Sequence, residues 1–260
     1  MNARLKCVVI TGASSGIGEA TYKMFARQGF HAVAIARRAA KLENTCAELL
    51  KQGFSAHWYE CDLADHQATT KIAEQIMLEQ GCPDAVVFNA GVSVNKHFSE
   101  NLPADRMAEL TLNYLSPSWL LDVILPHAQK RGSGHFIAVG SLAARTSFPG
   151  NATYAASKSA LASLWQSLEH EYAVSGIHFS TLLPGLVETE MSKSMKSWIP
   201  GRSAEGIADL ILRTYEKPAM AQTHGIENQA ILAMTRLFPE TTQNLMTHFH
   251  SFVYSKRAPL

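Results

Sequence analysis

The sequence predicts an α/β fold, a doubly wound parallel sheet with helices on both faces. Short β-branched runs alternate with helical patterns of about 10–15 residues, the rhythm of βαβ units with right-handed crossovers. The first run, KCVVIT (6–11), has the unbroken apolar character of a strand buried on both sides, and it ends in a glycine-rich turn. Size agrees: 260 residues, 47% hydrophobic against 17% charged, suffice for a sizeable core and exclude a disordered chain.

A helix follows the first turn and stops at Gly29; HAVAIA (31–36) is strand two, and AAKLENTCAELLKQG the second helix, closed by another glycine. SAHWYE (55–60) is the third strand, HQATTKIAEQIMLEQG a helix, and DAVVFNAG (84–91) the fourth strand with its turn. A long helical stretch runs from Pro103 to about Lys130, with kinks expected at Pro117 and Pro126. GHFIAVGS (134–141) is strand five, residues 151–172 form one long helix, and GIHFSTLLPG (176–185) is strand six. Beyond it the rhythm breaks. Residues 191–203 mix Met, Trp and Ile with Ser, Lys, Gly and Pro. AEGIADLILRTYEK is a helix with Ile207, Leu210, Ile211 and Tyr215 on its apolar face. AMAQTH offers a short edge strand, and helix-like segments near 226–238 and 240–254 close the chain. No repeat, low-complexity tract or linker intervenes, so residues 1–260 are expected to form one domain, with 191–203 as a lid and 226–260 as a helical extension.

A net charge of +1 without a basic tract gives no electrostatic footprint for nucleic acid. Cys7, Cys46, Cys61 and Cys82 are scattered, without C-x-x-C pairing, and read as core thiols of a reducing compartment. Among eleven histidines only HFH (248–250) is a close pair, and no metal site is expected. The N-terminal strand begins too early for a signal peptide, and no apolar run reaches the ~18 residues of a membrane span. The expected location is cytoplasmic.

Two motifs carry chemistry. TGASSGIG (11–18) places glycines at 12, 16 and 18 after a strand and at the opening of a helix. There a backbone can approach a pyrophosphate, and free N–H groups with the positive helix end face it. An NAD site would carry an acidic residue about 20 residues on. No acid stands between Glu19 and Glu43; Arg37 and Arg38 stand there instead, which suits a 2′-phosphate and favours NADP(H) over NAD(H). In the second motif Tyr154 and Lys158 lie four apart on one helix face among Ala, Ser and Thr. The slim neighbours leave room for ligands to approach, or for close helix packing in an oligomer.

Taken together, TGASSGIG (11–18), Asp62 in CDLAD, NAG (89–91), Asn113 in TLNYLS, Ser141 in VGSLAA, YAASK (154–158) and PGLVET (184–189) resemble the short-chain dehydrogenase/reductase family in order and interval, over about residues 5–190. The resemblance implies a Rossmann-like sheet of about seven parallel strands and a nicotinamide-dependent oxidoreductase of carbonyl and alcohol groups. It implies that Tyr154 is the acid/base, Lys158 its partner and a ribose ligand, Ser141 the polariser of the substrate oxygen and Asn113 the holder of a relay water. Cofactor contacts would come from Gly12, Ser14, Ser15, Gly16, Ile17, Gly18, Arg37, Arg38, Asp62, Leu63, Asn89, Ala90, Gly91, Tyr154, Lys158, Pro184, Gly185, Val187 and Thr189. The Lys158 ammonium and an oxidised nicotinamide are expected to draw the phenol below its ordinary value near ~10.

Val92, Ser93, Val94, Leu142, Phe148, Leu186, Met191, Met195 and Trp198 fall on segments expected to surround the nicotinamide; Arg145 is the nearest cation. Ser93, Phe148, Met191, Met195 and Trp198 are the substrate candidates, and the 191–203 segment either closes over an apolar substrate or packs on the C-terminal helices. Leu245, Met246, Phe249, Phe252 and Val253 form an apolar C-terminal face that could cover the core, a second subunit or, with Lys256 and Arg257, a membrane surface. The leading expectation is an NADPH-dependent reductase of an apolar or lipid-like ketone or aldehyde, assembled as a homodimer or homotetramer. An NAD(P)+-linked alcohol or hydroxysteroid dehydrogenase and a non-catalytic NADP(H)-binding sensor are the alternatives.

Overall fold

The computed structural model describes residues 5–192, 201–223, 225–242 and 244. Seven strands form one sheet: β1 (Cys7–Thr11), β2 (His31–Ala36), β3 (Ala56–Glu60), β4 (Ala85–Phe88), β5 (Gly134–Val139), β6 (Ile177–Leu182) and β7 (Ala221–Gln222). Their order is β3-β2-β1-β4-β5-β6-β7 and every pairing is parallel. The order reverses between β1 and β4, which opens a crevice beyond their C-terminal ends, the place where open α/β sheets take ligands.

Register divides the apolar side chains between two cores. Val33, Val9, Val86, Phe136 and Phe179 stand in line across β2, β1, β4, β5 and β6. They face α3 (His66–Glu79), α5 (Ser116–Arg131) and α6 (Ala152–Tyr172), where Ile76, Ile124, Leu161 and Trp165 are buried. One residue along each strand, Ala34, Ile10, Val87 and Ile137 face the opposite way. They pack on Phe25 of α1 (Gly16–Arg27), Leu42 of α2 (Ala39–Lys51) and Ile211 of α7 (Ala204–Glu216). Period-2 side chains with both faces covered explain why these strands read as unbroken apolar runs.

The expected long helix is interrupted elsewhere than at its prolines. α4 (Pro103–Leu110) passes into a π-helical turn at Thr111–Leu115 before α5 begins. Pro117 has no N–H to give the carbonyl four residues back, that of Asn113, and its ring crowds that carbonyl; widening the helix relieves both faults. Pro126 is accommodated inside α5. In α7, Ile207 and Ile211 are buried as expected, whereas Ala208 and Leu212 complete the face and Leu210 and Tyr215 are partly buried. The edge strand shrinks to the two residues of β7, and α8 spans Ile226–Leu237. Most of the proposed lid (193–200) and most of the 240–254 segment lie outside the described residues, as does the apolar C-terminal face. No helix among the described residues is long and apolar enough to cross a membrane.

Candidate active site and dinucleotide crevice

The motif segments follow the C-terminal ends of β1, β2, β3, β4, β5 and β6, so the parallel topology gathers them at one edge of the sheet. In the first turn Gly12 and Gly16 have φ of 68° and 56°, a region open to glycine. Gly18 is required for space: a Cβ there would lie 2.4 Å from both Asn89 Nδ2 and the Gly12 carbonyl. Asn89 gives its amide to Thr11 O at 2.9 Å, and Thr11 Oγ1 accepts from the N–H groups of Asn89 and Ala90 at 2.9 and 3.0 Å. Asn89 therefore fastens β4 to the glycine turn, a structural task in addition to the expected lining of the crevice. Ser14 is buried; Ser15 and Ile17 are partly exposed at the start of α1, Leu63 is buried and Asp62 caps Ala64 N.

The two arginines separate. Arg37 pairs loosely with Asp62 at 3.8 Å. Arg38 turns back onto the glycine turn, donating through Nε to Ser14 Oγ at 2.9 Å and through Nη2 to Ser15 Oγ. Its Nη1 donates to Glu190 Oε2 at 2.8 Å, while Lys41 Nζ donates to Glu190 Oε1 at 3.1 Å. These two cations hold the Glu190 carboxyl down to about 2. Sequence reasoning passed over Lys41, although it stands one helical turn beyond Arg38, and Glu190, although it follows Thr189 directly.

At the other end of the crevice, Tyr154 and Lys158 share a face of α6 as expected, with Nζ 6.0 Å from the centre of the phenol ring. Lys158 is 4% exposed and donates to Val139 O at 2.8 Å. Burial lowers its pKa to about 8. Lys158, expected together with an oxidised nicotinamide to draw the phenol down, is not among the groups that shift it here. Burial pushes Tyr154 above its ordinary value, a hydrogen bond with the Ser141 hydroxyl pulls it down, and the Glu109 carboxylate pushes it up again. Ser141 also caps a 3₁₀ turn at Leu142–Ala144, accepting from Ala143 N at 3.1 Å.

Asn113 is fully buried in the π-helical turn. Its Oδ1 accepts from Val92 N at 2.8 Å, and its Nδ2 donates to Val92 O at 2.9 Å and Ser157 Oγ at 3.0 Å. The side chain is thus committed to the loop after β4. One turn earlier Glu109, 1% exposed, accepts from Val94 N at 2.8 Å through Oε1, while Oε2 is buried without a hydrogen-bond partner. Glu109 was missed because nothing local marks it; only its spacing of four from Asn113 hints at a shared face.

A Cβ on Gly91 would meet Asn113 Oδ1 at 3.0 Å and Lys158 Nζ at 3.5 Å, so the missing side chain lets the backbone pass close to the ammonium. Past β6, Pro184 and Val187 are buried, Gly185 packs on Asn228 of α8, and Thr189 Cγ2 lies 3.0 Å from where a Gly16 Cβ would stand. The glycine turn and the cations Arg38 and Lys41 lie side by side, a fit to the pyrophosphate and added phosphate of a dinucleotide. Of the substrate candidates, Ser93 and Phe148 are partly exposed on the loops flanking Tyr154, Met191 is 44% exposed, and Met195 and Trp198 lie outside the described residues. Arg145 is exposed. No group of three His, Cys, Asp or Glu among the described residues could hold a metal ion.

The chain is similar to known proteins in sequence and fold. The chain is 36% identical over 193 residues to an uncharacterised oxidoreductase of Mycobacterium bovis, covering 72% of this chain and 56% of that protein. The chain therefore spans little more than half the length of that relative. A fatty acyl-CoA reductase of Acinetobacter baylyi is 33% identical over 228 residues, 86% of this chain and 77% of that one. A short-chain dehydrogenase from Sphingobium yanoikuyae, solved in complex with NADPH, superposes with a TM-score of 0.80 at 25% identity, covering 94% of this chain and 96% of its own. The short chain dehydrogenase profile matches residues 6–200, three quarters of the molecule. The chain belongs to the short-chain dehydrogenase family.

Proposed function

We propose that the protein is an NADPH-dependent carbonyl reductase acting on an apolar, lipid-like ketone or aldehyde, with Tyr154 as proton donor. The observation that carries this reading is the meeting of Tyr154 with the Ser141 hydroxyl on one side and the buried Lys158 on the other. Arg38, held against Ser14 and Ser15, and Lys41, one helical turn on, would take the 2′-phosphate, a choice supported by the NADPH found in the Sphingobium relative. Gly12 and Gly16 would let the pyrophosphate approach, and the bare backbone at Gly91 would leave Lys158 within reach of the ribose. When bound, the reduced nicotinamide supplies a hydride.

The chain's own residues supply the proton and hold the oxygen that receives it. Ser141 donates a hydrogen bond to the carbonyl oxygen as charge builds there. Tyr154, kept neutral by burial and by Glu109, gives that oxygen its proton. Lys158 then stabilises the phenolate left behind. The committed Asn113 side chain holds the loop after β4 in place, so any water held at this residue would sit on its backbone carbonyl, which Pro117 leaves without an α-helical donor. The substrate class rests on the apolar candidates Phe148 and Met191 and on the acyl chemistry in the Acinetobacter relative's name.

Loss of NADPH absorbance over a panel of apolar ketones, aldehydes and acyl thioesters tests the reading. A Tyr154→Phe protein should bind NADPH as tightly as wild type and lose turnover by about 10²-fold or more. Retained turnover in that variant would refute the assignment of the proton donor.

A further inference from the structure

The carboxylate of Glu190 sits where an anion is wanted. Arg38 and Lys41 come from the end of β2 and the first turn of α2, while Glu190 comes from the segment after β6, on the far side of the crevice. The three therefore form a clip across the crevice mouth, closed by two ion pairs of 2.8 and 3.1 Å. Behind the clip Thr189 rests on Gly16, in the bed of the glycine turn, and Ser192 Oγ braces the segment by donating to Val187 O at 2.6 Å. The guanidinium that Glu190 grips is the one already oriented by Ser14 and Ser15. Arg37, one residue away, is engaged with Asp62 and takes no part.

We propose that Glu190 is a cofactor-specificity residue, an internal carboxylate that occupies the place of the 2′-phosphate between Arg38 and Lys41. It competes with NADP(H) and leaves NAD(H) untouched. The inference rests on the reading that Arg38 and Lys41 receive that phosphate. With NAD(H), Glu190 stays on its cations and lowers their net charge beside the ribose. With NADP(H), it must let go, since a carboxylate and a phosphate cannot share two cations without repulsion. The clip thereby narrows a preference that the two cations alone would make wide. Exposed ion pairs of this kind are individually weak, so a clip closed roughly 80–90% of the time is a reasonable scale. Apparent affinity falls with the open fraction, which makes the penalty on NADP(H) about five- to tenfold.

Binding titrations test this without turnover, following energy transfer from the protein's tryptophans to the reduced nicotinamide. Glu190→Gln should tighten NADPH about five- to tenfold and leave NADH within about twofold. The same gain should appear with 2′,5′-ADP and be absent with ADP, which places it at the phosphate rather than at the nicotinamide end. Unchanged NADPH affinity in Glu190→Gln overturns the competition. Weakened affinity overturns it too, by showing that the carboxylate braces the cations for the phosphate. Arg38→Ala separates the two levels of the reading. If that variant keeps the wild-type NADPH-to-NADH ratio, the phosphate binds elsewhere and the reading of Arg38 and Lys41 as its holders fails. If Arg38→Ala loses NADPH selectively while Glu190→Gln changes nothing, only the inference about Glu190 falls.

Discussion

Replacing Lys158 by methionine should stabilise the cofactor-free protein while abolishing its chemistry. The side chain is 4% exposed, and burial lowers its pKa from the ordinary 10.5 to about 8. At 1.36 kcal/mol for each pH unit, that gap is a penalty of about 3 kcal/mol for keeping the ammonium charged inside the fold at neutral pH. Methionine removes the penalty and fills a similar volume. It also leaves Val139 O without its 2.8 Å donor, a loss of about 1 kcal/mol. The net gain of about 2 kcal/mol corresponds to a melting temperature higher by roughly 4–8 °C. The sign with pH follows from the lowered pKa. Between about 8 and 10.5 the unfolded chain binds more protons at this position than the folded one, so wild type gains stability as pH rises through that window. The advantage of Lys158→Met should therefore be full below about pH 8 and shrink towards pH 10.5. Thermal melts followed by circular dichroism at pH 7 and 10 measure both effects. A variant that melts at or below the wild-type temperature at pH 7 would show that the ammonium is solvated or paired, and the reasoning would fail.

Two more perturbations probe charges that the reaction does not consume. Glu109→Gln keeps an acceptor for Val94 N and removes a carboxylate that disfavours the Tyr154 phenolate, so the pH midpoint of the alcohol-oxidising direction should move downwards; an unmoved midpoint argues that Glu109 is neutral or too distant. His135, 5% exposed beneath Tyr215 and bonded to Ser180 at 2.9 Å, is lowered to about 4 by burial and by the neighbouring His178. Its contribution is whole above pH 6.5 and is lost as pH falls towards 4. Melting temperatures from pH 7 to 4.5 should fall more steeply for wild type than for His135→Gln, and parallel curves would contradict the assignment.

Strands β1 to β6 were legible because both faces of the sheet are covered, which writes each of them as an apolar run between turn residues. Asn113, Ser141, Tyr154 and Lys158 were picked out together by the family resemblance of their motifs, since Ser141 alone reads as a strand-end cap and Asn113 alone as a residue beside a helix kink. What escaped was long-range. The π-helical turn at 111–115 depends on one proline acting on a carbonyl four residues away, and the prolines drew attention to themselves rather than to that carbonyl. Glu109 and Glu190 look like solvated helix and loop residues; their partners are 15 residues away at Val94 and 152 residues away at Arg38. Nothing in local periodicity encodes a contact at that separation. The lowered value expected for Tyr154 met the opposite direction for the same reason, since burial by distant segments raises it.

The position of β1 at the switch of strand order has a consequence for synthesis. All five of its residues are buried, and it pairs with β2 on one side and β4 on the other. A chain emerging from the ribosome can complete β1, β2 and β3 once Glu60 is out, but β4 begins only at Ala85. Until then β1, apolar but for Thr11, presents an unpaired edge, the kind that templates association with other chains. Cys7 N–H waits on Asp84, 77 residues downstream, for its 2.7 Å bond. At roughly 5–20 residues per second the wait lasts some seconds, and the nascent chain needs shelter for that interval.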